Sequence, residues 1–222
     1  MSLSMERENK ELLVKGALIY GILLDEKMVE VFDLYLRELL KWNQKINLTS
    51  IRTEKGIILK HFLDSLSVVP HFPSISTLLD IGSGAGFPGI PLKMIRPSLE
   101  VTLIDSVRKK IDFQRHIIRT LGLTGITAIH GRIQDKEFLK TMQNQFEAVI
   151  SRAFADLKTF LPLARPFLKQ GGFIIAMRGK GDEEEWQSHL PTEGIGCRLV
   201  KTATFSLPFS SDQRSILLFE KV

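Results

Sequence analysis

Thr77-Leu78-Leu79-Asp80-Ile81-Gly82-Ser83-Gly84-Ala85-Gly86-Phe87-Pro88-Gly89 is the stretch on which the reading of this chain turns. Its first five residues form an apolar run with the length of a buried strand. Glycines follow at alternate positions. Pro88 stands where a helix opens, since its missing amide hydrogen is least missed in a first turn. A strand, a glycine turn and a helix in that order place the turn at the carboxyl edge of a parallel sheet, where open α/β sheets bind ligands. Glycine permits positive φ there and lets a ligand approach the backbone.

Downstream, short apolar runs alternate with helical patterns. A helix over Pro88 to Arg96 stops before Pro97, and Val101 to Ile104 is the second strand. Ser106 is expected to cap a helix from Val107 to Leu121. Strands follow at Ile126 to Ile129 and Ala148 to Ile150, then a helix from Leu157 to Leu168 that Pro162 and Pro166 must kink or break. Phe173 to Met177 is a fifth strand, after Gly171-Gly172. Leu199 to Phe205 and Ile216 to Glu220 have no helical pattern between them and should pair antiparallel. Upstream, residues 1–74 read as helical. Asp25 can cap a helix with Met28, Phe32, Tyr35, Leu39 and Trp42 on one stripe, and a further helix covers Glu54 to Val69. The expectation is an α/β fold: a mostly parallel seven-stranded sheet with helices on both faces over residues 75–222, and an N-terminal helical extension packed on that core.

At 222 residues, 44% apolar and 25% charged, the chain has the size and composition of one globular domain and not of a disordered or coiled-coil protein. A single cysteine, Cys197, excludes an internal disulfide framework and a cysteine-clustered zinc site, and fits a reducing compartment. Thirty Lys and Arg against 25 Asp and Glu permit a polyanionic partner without requiring one. The opening is polar, and the most apolar stretch, Leu12 to Leu24, holds Lys15 and is too short to span a bilayer. A cytoplasmic location, no membrane partner, no metal and a monomer are therefore expected.

Two ligands compete for the glycine turn. Gly84-Ala85-Gly86-Phe87-Pro88-Gly89 fits the dinucleotide pattern. Asp80-x-Gly82-x-Gly84-x-Gly86 fits the pattern of S-adenosylmethionine enzymes, and it is preferred because a carboxylate there suits an ammonium and a sulfonium but repels a pyrophosphate. Asp105, 23 positions beyond Gly82 at the end of the second strand, can accept from both ribose hydroxyls of either cofactor. Its alternative role is a carboxylate at a helix N-terminus. In Gly131-Arg132-Ile133-Gln134-Asp135, Ile133 can pack on an adenine face and the Gln134 region can meet its edge; the alternative is an ordinary surface loop. Arg108, Lys109 and Lys110 open one helix, while Lys60, His61, Arg178 and Lys180 can rim the cleft if the helical zone folds over the sheet. All seven are candidates for phosphate contact, or else solvated side chains. His61 has a third role open to it, a structural contact between the two zones.

Several stretches together resemble the ribosomal RNA small-subunit methyltransferase G family, also called glucose-inhibited division protein B. They are Trp42-Asn43-x-x-x-Asn47-Leu48-Thr49, His61-x-x-Asp64-Ser65-Leu66, the turn Gly82 to Leu92 with its Pro88-Gly89-Ile90-Pro91 ending, and Ser151-Arg152-Ala153-Phe154. The resemblance spans about Trp42 to Lys180. It implies a class I, Rossmann-like methyltransferase fold and methyl transfer from S-adenosylmethionine to N7 of one guanine in the 530 loop of 16S rRNA, in the small ribosomal subunit. It implies cofactor contacts at Gly82, Phe87, Ile133, Gln134 and Arg152. Guanine N7 carries a free lone pair, so such a reaction needs neither a general base nor a covalent nucleophile, and Cys197 lies far in sequence from the cleft. Arg152 is then a positioning residue, for cofactor or phosphate. Phe154 either stacks on an extruded base or is buried core. Three other readings remain at this point: a small-molecule methyltransferase, a nicotinamide-dependent dehydrogenase using the other glycine register, and a non-catalytic RNA-binding module.

Overall fold

The computed structural model describes residues 4–152, 156–179 and 194–222. Seven strands form one sheet in the order β3-β2-β1-β4-β5-β7-β6. They are β1 Thr77–Ile81, β2 Glu100–Asp105, β3 Ile126–His130, β4 Phe146–Arg152, β5 Leu168–Gly179, β6 Cys197–Ser206 and β7 Gln213–Lys221. β1 pairs in parallel with β2 and β4, as do β2 with β3 and β4 with β5. β7 runs antiparallel between β5 and β6. The order reverses beside β1, so a crevice opens at the carboxyl ends of β1 and β4, as doubly wound sheets require. This is the expected Rossmann-like methyltransferase fold.

Strand alternation sorts the apolar residues into two layers. Leu78, Leu103, Ala148, Ile175 and Ile216 face one layer, and Leu79, Ile104, Val149, Ile174 and Leu217 the other. The second layer is closed by α7 Lys136–Met142 and α8 Leu157–Ala164. The first is closed by α5 Gly89–Ile95 and α6 Arg108–Thr120, together with the N-terminal helices α1 Arg7–Ile19 and α2 Glu26–Asn43. Asp25 caps α2 by accepting the Met28 amide at 2.7 Å. Phe32, Tyr35 and Leu39 of the expected stripe are fully buried. The 54–69 helix is not uniform. α3 Glu54–Ile57 passes into a π-helical stretch Ile58–Leu63 and then α4 Asp64–Leu66. Pro70 sits in a short 3₁₀ turn, Val69–His71.

Three local expectations need correction. The helix expected from Leu157 to Leu168 ends at Ala164, and β5 already begins at Leu168. Gly171, at φ +71°, lies inside that strand, where the register against β4 jumps from Phe146↔Leu168 to Ala148↔Phe173. Only a residue tolerant of positive φ absorbs such a bulge. Second, α6 is not capped by Ser106: it begins at Arg108 with no side-chain cap, and Asp105 accepts the Val107 amide just before it at 2.8 Å. Third, α7 was not anticipated. It is a seven-residue helix whose Phe138, Leu139 and Met142 are only partly buried, too short for a periodic signal.

The extension and the glycine turn meet at Tyr35. Its hydroxyl donates to the Ala85 carbonyl at 2.6 Å, in a fully buried setting. Replacing it, Tyr35→Phe, leaves that carbonyl without a partner and should lower stability by about 1–2 kcal/mol. In urea titrations the midpoint is expected to fall with an unchanged m value; an unshifted midpoint would contradict the role of this bond.

Candidate functional site

The turn after β1 is held from below and from the side. Gly82 and Ser83 amides donate to the Ile104 carbonyl at 2.9 and 3.2 Å. The Gly84 amide donates to Asp105 Oδ2 at 2.9 Å, and Gln114 Nε2 reaches the Gly84 carbonyl at 2.7 Å. Gly82, Gly84 and Gly86 all have positive φ, at 69°, 60° and 96°. Asp80 lies fully buried beneath the turn, where its Oδ2 accepts the Gly89 amide at 2.8 Å. Burial pushes its carboxyl up to about 7, against the opposing pull of the Gly89 bond and the Arg152 charge. Its Oδ1 has no partner among the described residues.

A cleft of about 570 Å³ opens beside this turn. Gly82, Asp105, Lys110, Ile133, Gln134 and Arg152 all line it. The sequence reading thus names residues from four segments that the fold brings to one cavity. Asp80, Gly84, Gly86 and Phe87 are not part of its wall. Gly86 is required by packing: a Cβ there would fall 2.4 Å from Ile90 Cδ1 and 2.7 Å from the Tyr35 hydroxyl. Phe87 is buried between the Tyr35 and His61 rings, with centroids 5.3 and 4.6 Å away.

Arg152, at the end of β4, is gripped by the π-helical stretch. Its Nη1 donates to the Lys60 carbonyl at 2.9 Å and to Asp64 Oδ2 at 3.1 Å, and its Nη2 meets His61 Nδ1 at 2.9 Å. Arginine only donates, so Nδ1 accepts and the His61 proton sits on Nε2, which donates to Thr49 Oγ1 at 2.8 Å. Asn43 positions Thr49: its Oδ1 accepts the Leu48 and Thr49 amides at 2.8 and 3.0 Å. Burial, aided by the Arg152 charge, pushes the His61 ring down to about 3. Asp64 is itself buried, and its Oδ1 accepts from Arg214 Nε of β7 at 2.9 Å.

The remaining candidates separate. Arg108 and Lys109 are exposed at the start of α6, and Lys110 sits 3.7 Å from Asp105. Lys60 is about half exposed (46%) and pairs with Asp212 at 3.0 Å. His61 is buried and neutral, so it offers no charge to a phosphate and instead joins the two zones. Arg178 is buried too. It alternates with Met177, and its side chain acts on Asp156 at the start of α8. Phe154 and Lys180 lie outside the described residues. Asp64 enters the sequence reading only within the His61-x-x-Asp64 motif, with no role assigned, and Arg214 does not enter it. Asp64 had a signal, the three-residue spacing from His61 that puts both on one helix face; Arg214, in a terminal strand, had none. Among the described residues no group of His, Cys, Asp or Glu is arranged to hold a metal, and no helix is long and apolar enough to cross a membrane.

The cleft suits a nucleoside cofactor. A carboxylate at the end of β2, apolar Ile133 and Gly82, the first positive-φ glycine of the turn, form part of its wall. The backbone fold agrees. A SAM-dependent methyltransferase from Aquifex aeolicus superposes with a TM-score of 0.57 at 18% identity, covering 75% of this chain and 93% of that one. M. jannaschii TYW2 in complex with AdoMet gives 0.57 at 17%, over 80% and 81%. The likeness shows a Rossmann-like methyltransferase fold.

The profile of the family described as GidB, rRNA small subunit methyltransferase G, matches residues 28–210. The "Ribosomal RNA small subunit methyltransferase G" of Geobacter metallireducens is 45% identical over 96% of this chain and 97% of its own length. That of Acetivibrio thermocellus is 38% identical over 97% and 90%. The chain belongs to this family.

The neutral state of His61 has a measurable consequence. Its ring protonates near 6.5 when unfolded but only near 3 in the fold. Its contribution to stability is therefore complete above about pH 6.5 and is lost as pH falls toward 3. In an NMR titration the His61 ring protons should stay unshifted from about pH 8 to 5, a range in which an exposed histidine titrates. A midpoint near 6.5 would overturn the buried contact with Arg152.

Proposed function

We propose that this protein transfers the methyl group of S-adenosylmethionine to N7 of a guanine in the 530 loop of 16S rRNA. It would act on the small ribosomal subunit in the cytoplasm, as a monomer and without a metal. The single observation that carries the reading is the cleft at the carboxyl ends of β1, β2 and β4, walled by Gly82, Asp105, Ile133, Gln134 and Arg152, in a member of this family.

Bound there, S-adenosylmethionine supplies a methyl group already activated by a sulfonium. Asp105 is placed to accept the ribose hydroxyls: each of its oxygens takes one backbone amide, from Gly84 or Val107, and retains a lone pair. Ile133 and Gln134 face the base. Asp80, Gly84, Gly86 and Phe87 act one layer back, giving the turn its shape through Gly89, Tyr35 and His61. Arg152 is immobilised by three acceptors and stays charged, so it orients and does not exchange protons. Orientation suffices for an acceptor whose lone pair is already free, and it can contribute on the order of 7–11 kcal/mol. Exposed Arg108 and Lys109, with Lys110 and Lys60, supply the polyanion contacts. The same geometry disfavours a dinucleotide. Its pyrophosphate would need the first amides of α5, and the Gly89 amide is held by the Asp80 carboxyl.

Tritiated methyl transfer to undermodified small subunits, followed by base mapping, tests the reading. Label is expected at a single guanine N7 in the 530 loop, and label elsewhere or none would refute it. Asp105→Ala should weaken S-adenosylmethionine binding about tenfold or more in calorimetry. Unchanged affinity would remove Asp105 from the cofactor site.

A further inference from the structure

A second cavity, of about 340 Å³, lies on the far side of Arg152 from the cofactor cleft. Arg152 lines both. Ile51, Lys60, Asp64, Met177, Arg178 and Arg214 line it as well. Here the π-helical stretch, the end of β5 and the start of β7 converge.

The charges are arranged to leave cationic donors over. Asp64 is shared by two guanidinium groups, Arg152 at 3.1 Å and Arg214 at 2.9 Å, so its own charge is more than answered. Lys60 is answered by Asp212 at 3.0 Å. Four cations, Arg178 among them, thus stand against two carboxylates. Arg214 uses Nε on Asp64 and Nη1 on the Gln213 carbonyl at 2.8 Å. Among the described residues its Nη2 makes no bond, so three of its five N–H donors remain, two on Nη2 and one on Nη1. Asp64 fixes the plane of that fork. A guanidinium held in one plane beside an ammonium is a phosphate receptor in chemistry and geometry. Ile51 and Met177 give the same cavity an apolar wall, which a free inorganic anion does not need but a nucleotide does.

We propose that this cavity binds a phosphodiester of the RNA acceptor through Arg214 and Lys60, and so sets the acceptor base against the cofactor cleft across Arg152. The inference rests on the RNA methyltransferase reading and adds a subsite to it. Asp64 is then a positioning residue, acting through the two arginines it orients.

The test uses inorganic phosphate as probe, with the full chain saturated by S-adenosylhomocysteine, and phosphorus NMR line width as readout. Broadening by the unaltered protein that is lost in Arg214→Gln and reduced in Lys60→Gln supports the site. Equal broadening in all three, or relief of broadening by the cofactor product itself, overturns it. Arg214→Gln removes a partner of a buried carboxylate and can impair folding; Lys60→Gln, on a half-exposed side chain, then decides alone. In methyl transfer to small subunits, both variants should raise KM for the subunit roughly tenfold, with kcat and S-adenosylmethionine affinity little changed. An unchanged KM overturns the site. If the unaltered protein methylates no RNA while the phosphate signal holds, the proposed function fails and the anion site stands. If it methylates subunits but shows no Arg214-dependent signal, this subsite alone is rejected.

Discussion

The grip of the helical extension on Arg152 is the constraint from which the rest of the site follows. A carbonyl, a neutral imidazole and a buried carboxylate, from Lys60, His61 and Asp64, converge on one guanidinium at the end of β4. Even a partly buried arginine is costly without such partners. With them, the end of the strand becomes a rigid post between two cavities. The N-terminal helices therefore finish the site as well as covering the sheet. They carry the acceptors that Arg152 needs and, through Tyr35 and His61, the aromatic faces that enclose Phe87.

The glycine turn shows a division of labour that its pattern hides. Gly82 lines the cleft, Gly86 makes room for Ile90 and Tyr35, and Gly84 presents its amide to Asp105. Asp80 anchors the first turn of α5 from below through Gly89. Asp105, whose carboxylate lines the cleft, also receives the Gly84 amide and the Val107 amide just before α6. Whatever occupies the cleft therefore meets a wall whose orientation is set by two backbone amides and not by side-chain packing alone.

Most of the fold was legible because its signals are local. The run Thr77 to Ile81, the turn beyond it and the later apolar runs mark strands by length and punctuation, and Asp25 marks a helix start by its capping chemistry. What was not legible depends on long-range packing. The bulge that lets β5 begin at Leu168, and the seven-residue α7, carry too few residues for a period to emerge. In the site, residues one strand end apart could be named, since open sheets bind ligands there. The structural contact of His61 between the two zones was among the roles open to it, but the burial of Arg178 could not be named, because composition treats a cation as surface until the fold encloses it. Arg214 was invisible for the same reason: it is 150 positions from Asp64 in sequence yet 2.9 Å from it in space.

That last pairing has a bearing on synthesis. β7 enters between β5 and β6, and it carries the guanidinium that shares Asp64. In a chain made from its N-terminus, β1 to β5 and their helices leave the ribosome before the β6–β7 hairpin. Until that hairpin emerges, β5 presents an unpaired edge and Asp64 has one arginine instead of two. The anion subsite proposed around Arg214 therefore cannot form before β7 pairs with β5.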